Sequence, residues 1–147
     1  MTDRRQEAAS RTSRAPRSGG RPRPAVVAYR VALILFLVLG VLQIFLAGLG
    51  VFSSFSSGPG FEPHRLTGYI MSAVALVIVI LALLARAGSR AVIVVVVLFL
   101  LAAFGQSLLA ALGEDNAFFG GLHALDGLVI LGLAGYLQSS ALRARRP

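Results

Sequence analysis

The 147-residue chain is 56% apolar, with a mean hydropathy of +0.81, too apolar for an ordinary soluble domain. It contains no cysteine, which excludes disulfides, thiolate metal sites, c-type haem attachment and iron–sulfur clusters. Its net charge of +8 would suit nucleic acid, but the placement of that charge points to membrane topology instead and makes nucleic acid an unexpected partner.

Residues 1–24 are rich in Arg, Ser, Gly and Pro. Such a segment has almost nothing to bury and is expected to be a disordered cytoplasmic tail. Four apolar runs follow, with spans expected over about 26–51, 64–85, 91–112 and 119–138. Each is long enough to cross roughly 30 Å of hydrocarbon as a helix. Together they make residues 25–142 a transmembrane domain, and residues 143–147 a short basic end. Thirteen of the fourteen arginines lie in the tail, at the start of the first span, in the turn between spans two and three, or at the C-terminus. That bias places both termini in the cytoplasm and the chain in the cell's inner, or plasma, membrane as a multi-pass protein. Tyr29 and Tyr136 are expected near the inner surface and Tyr69 near the outer one, as interfacial anchors. The run AVIVVVVLFLL is expected to be helical despite its β-branched residues, because a strand would leave backbone groups unpaired in lipid.

The runs conceal a repeat. QIFLAGLG at 43–50 matches QSLLAALG at 106–113 in Gln, Leu, Ala, Leu and Gly at identical spacing. HRLTG at 64–68 matches HALDG at 123–127 as H-x-L-x-G. The offsets are 63 and 59 residues, the difference being a shorter outer loop in the second half. The fold expected is therefore an all-α, four-helix transmembrane bundle made of two tandem helix hairpins. Two spans per copy keep both copies in one orientation, related by an axis along the membrane normal.

This duplication gives meaning to the two histidines, which are the only ones in the chain. His64 precedes Arg86 by 22 residues and His123 precedes Arg143 by 20, roughly 33 Å and 30 Å of helix. Their imidazoles are expected at equal height, facing each other across the axis. Imidazole is a good axial ligand for haem iron, and bundles build such sites from facing side chains. Gly68 and Gly127, four residues after each histidine, and the stripes around Gln43 and Gln106 are expected either to line a slot for a planar group or to let the helices pack closely. Arg65 is expected either to pair with a haem propionate or to snorkel. Asp126, an acid at membrane depth, is expected either to orient His123 or to pair with Arg65. Thr67 holds the equivalent place in the first half. Glu62-Pro63 reads as a helix start, with proline in the first turn.

The function expected is b-type haem binding near the extracytoplasmic face, with an electron-transfer or haem-handling role and no independent catalytic activity. Lipid is the surrounding partner, and a quinone or a respiratory membrane complex could meet the site laterally. The alternative is a membrane subunit or assembly factor without a cofactor. The segments FLAGLG (45–50), PHR with GY (63–69) and LHALDGLVILGLA (122–134) resemble an uncharacterised bacterial family of short four-helix membrane proteins. Each half is also similar, more distantly, to the helix pairs of the haem A synthase family. That resemblance implies histidine ligation of haem at the outer ends of the second and fourth helices, where His64 and His123 stand.

Overall fold

A computed structural model describes residues 24–53 and 60–143. The expected arginine-rich tail, apart from Pro24, lies outside the described residues, as do Arg145 and Arg146. The described chain is helical: α1 (Pro24–Ser53), α2 (Glu62–Leu84), α3 (Ser89–Leu100), a π turn (Leu101–Gly105), α4 (Gln106–Asp115) and α5 (Ala117–Arg143). α3, the π turn and α4 run on as one 27-residue unit, Ser89–Asp115, so the molecule has four helices long and apolar enough to cross a membrane. That is the make-up of a multi-pass membrane protein. The valine-rich run is helical, as lipid requires of its backbone.

Local sequence sets the helix ends. α2 opens after Phe61 with proline in its first turn and Glu62 beside it, where a negative charge favours the helix N-terminus. The turn from α2 to α3 uses left-handed backbone at Arg86 (φ 53°) and Gly88 (φ 84°). Glycine takes the second of these without steric cost. α4 and α5 are separated by Asn116 alone. Its backbone is extended, and its Oδ1 accepts a hydrogen bond of 3.0 Å from the Phe118 N–H.

The helices form a ring. α1 packs against α2 and α5, α2 against α3 and the π turn, and α5 against α3, the π turn and α4. Among the described residues, α2 and α5 form one diagonal without backbone approach, and α1 and α4 lie similarly apart. The core repeats at heptad-like intervals: Tyr29, Leu33 and Phe36 on α1, Met71, Ala75, Ile78 and Ala82 on α2, Val95, Leu98 and Ala102 along the third unit, and Ile130, Ala134 and Leu137 on α5. Steps of three and four keep one stripe facing the axis. Tyr29 is drawn into this core at 4% exposure. Tyr69 remains exposed, and Tyr136 lies beneath the Arg90 guanidinium at 5.9 Å. α4 contributes no buried residue. Beyond the apolar core, toward the α1 C-terminus and the α2 N-terminus, the axis is lined by polar side chains instead.

Candidate functional site: a facing pair of imidazoles

The polar layer contains His64 on α2, His123 on α5, Gln43 on α1, and Gln106 and Asp126 on α4 and α5. None of these residues is exposed. The imidazole rings meet across the α2–α5 diagonal with centroids 6.0 Å apart and planes at 63°. Each ring is held the same way. Nδ1 of His64 lies 3.1 Å from the backbone carbonyl of Gln43, and Nδ1 of His123 lies 3.1 Å from that of Gln106.

These two contacts fix the chemistry of the pair. A carbonyl oxygen only accepts, so each Nδ1 donates and carries the ring proton. A neutral imidazole protonated at Nδ1 keeps Nε2 as a bare lone pair. Among the described residues neither Nε2 takes part in a hydrogen bond. The layer thus presents two oriented nitrogen donors, in the manner of ligating histidines whose other ring nitrogen donates to a backbone carbonyl.

The surroundings of the two rings differ. The Gln106 side-chain amide donates 3.0 Å to the His123 carbonyl and 2.8 Å to Asp126 Oδ2. On the His64 side Thr67 turns its hydroxyl back to the Pro63 carbonyl at 2.9 Å, and Gln43 Oε1 is buried without a hydrogen-bond partner. Asp126 therefore bonds neither to Arg65 nor to the His123 ring. Arg65 lies on the exposed side and pairs with Glu62 at 2.6 Å. Exposed pairs of this kind contribute little, so Arg65→Ala is expected to leave the melting temperature of the purified protein unchanged by circular dichroism.

The small residues differ in what surrounds them. A Cβ on Gly68 would sit 3.1 Å from Gln43 Nε2, so this glycine lets α1 and α2 approach. The position of a Cβ on Gly40 is occupied by Leu131, that on Gly50 by the Phe61 ring, and that on Gly113 by the backbone of Gly120 at 3.0 Å. Only Gly127, of the two glycines following the histidines, has no atom within 4 Å of its Cβ position.

Three contributors escaped the sequence reading. Phe61 stands edge-on to His64, with centroids 6.3 Å apart. Its place just before the Glu-Pro helix start was the available signal. Ser72 joins α2 to the π turn by donating 3.0 Å to the Ala102 carbonyl. The π turn itself, closed by the Gln106 N–H on the Leu101 carbonyl, adds a residue to the helix just before Gln106. Such turns recur at functional sites, and apolar periodicity gives no sign of one.

Residues 43–113 match a family of unknown function, DUF6220. The match spans Gln43, His64 and Gln106 and stops short of His123 and Asp126. No curated protein and no solved structure matches the chain, and nothing in these comparisons points to the haem A synthase family.

Proposed function

We propose that this chain is a duplicated membrane hairpin, with both termini cytoplasmic in the inner membrane, that binds a b-type haem between His64 and His123 near the extracytoplasmic face. The observation that carries the proposal is the pair of Nδ1–carbonyl bonds, which in neutral rings leaves each Nε2 as a lone pair, with the ring centres 6.0 Å apart. Two nitrogen donors suit an ion that brings its own in-plane ligands, as haem iron does. Gly127 supplies open volume beside His123. The residues fit the group on donor chemistry.

His64 and His123 would hold the iron, and Gln43 and Gln106 would orient them through their carbonyls. A bound haem supplies one-electron redox chemistry, and two strong axial ligands favour electron exchange or haem handling over oxygen activation. A quinone or a respiratory membrane complex is the partner class for that role. The chain's contribution is to orient the two imidazoles.

Expression in haem-replete cells, followed by detergent purification and absorption spectroscopy, tests the reading. A Soret band with sharp low-spin bands in the reduced protein is expected. Colourless protein would refute it.

A second reading has its own support. Gly40, Gly50, Gly68 and Gly113 all face atoms of a neighbouring helix or of the following segment, and polar side chains bond across membrane helices without any ligand. On that reading the layer holds the bundle together, and the protein is a membrane subunit or assembly factor without a cofactor. Colourless, stable, monodisperse protein is its signature.

A further inference from the structure

The two halves of the polar layer share their histidine–carbonyl bonds but not their charge. Asp126 is partly buried one helical turn from His123, where neighbours three apart hold their Cβ atoms about 5–6 Å from one another. It is the sole acidic side chain in the layer, and its Oδ2 is fixed by the Gln106 amide at 2.8 Å. That same amide also donates to the His123 carbonyl, so one glutamine ties the carboxylate to the backbone of the ligand residue and offers its own carbonyl to the ligand ring. Thr67, the first-half counterpart, is neutral and spends its hydroxyl within its own helix. Arg65, next to His64 on α2, is exposed and paired with Glu62, so it does not neutralise Asp126.

Resting on the haem reading, we infer that Asp126 is a positioning and charge-setting residue that lowers the reduction potential of the bound haem from the His123 side. The physical basis is direct. Ferric haem iron carries one more positive charge than ferrous iron. A fixed carboxylate nearby, in a medium less polar than water, stabilises the ferric form more. Gln106 makes the effect dependable by holding the carboxylate in place, and Gly105 gives it room, since a Cβ there would stand 3.4 Å from Asp126 Oδ2. The first half lacks this device, so the charge is carried by one side of the site.

The test is a spectroscopic redox titration of the purified, haem-loaded full chain. Asp126→Asn keeps the size of the side chain and its hydrogen-bonding reach but removes the charge, and the midpoint potential is expected to rise. Asp126→Glu retains the charge and is expected to hold the potential close to that of the wild type. Thr67→Asp places a second carboxylate at the equivalent position and is expected to lower it. A potential unchanged in Asp126→Asn overturns the inference while the Soret band leaves the haem reading intact. Should Asp126→Asn fail to load haem, Thr67→Asp decides, and an unchanged or raised potential there overturns it. Wild-type protein that takes up no haem removes both proposals at once.

Discussion

His123→Ala is expected to abolish the low-spin haem spectrum and to weaken haem retention by more than about 100-fold, because even the partners that only orient a metal ligand cost about 10–100-fold when removed. His64→Ala is expected to match it, since the two rings are held by the same bond at the same distance. The glutamines provide the discriminating comparison. Each histidine is oriented by a backbone carbonyl, which survives substitution of the glutamine side chain. Gln43→Ala is therefore expected to keep the low-spin spectrum. Circular dichroism and gel filtration of each variant separate ligand loss from unfolding. A Soret band that persists with both imidazoles removed would eliminate this pair as the ligands, and haem binding would have to be assigned elsewhere or abandoned. A pair serving only to pack helices gives a different pattern, because both variants then shift stability modestly, with interhelical hydrogen bonds in membranes averaging about 0.6 kcal/mol, and no spectrum changes.

How much of this was legible in the sequence follows from what each feature depends on. The four helices were visible because lipid dictates length and apolarity over some 20 residues, and both survive in one dimension. Their ends extend past the apolar cores, for instance to Arg143 in α5, because a helix continues into polar residues when nothing breaks it. His64 and His123 were legible as a pair because equal helical rise from two charged ends sets equal height. The partners of Asp126 and Arg65 were not, because choosing among neighbours requires helix rotation, and here Gln106 and Glu62 take them. The burial of Tyr29 follows from the same rotation: its step of four to Leu33 puts it on the core stripe. The π turn was invisible, since it is a matter of backbone bonding at Leu101–Gly105 in residues that any membrane helix could contain.

The second large effect concerns the glycines, where the sequence left open whether small residues make a slot or a close contact. Gly113→Leu is expected to destabilise the bundle more than a leucine at any of its exposed glycines. A Cβ at Gly113 would lie 3.0 Å from the backbone nitrogen and 3.1 Å from the Cα of Gly120. Backbone cannot rotate aside as a side chain does, so the join between α4 and α5 must spread. Gly40 and Gly50 differ, because their obstructions are the side chains of Leu131 and Phe61, which can move. Overfilling a packed contact typically costs about 1–3 kcal/mol, and a leucine adds three carbons beyond the Cβ. Gly132→Leu, on an exposed face of α5 with nothing within 4 Å of its Cβ position, is the matched control and is expected to be neutral. Thermal unfolding of both variants in the same detergent reads the difference. Because Asn116 alone separates α4 from α5, spreading that join also displaces His123 relative to Gln106. Gly113→Leu is thus expected to weaken haem binding as well, while Gly132→Leu leaves it unchanged. Equal melting temperatures would show that α4 and α5 part without cost, contradicting the backbone contact on which the orientation of His123 depends.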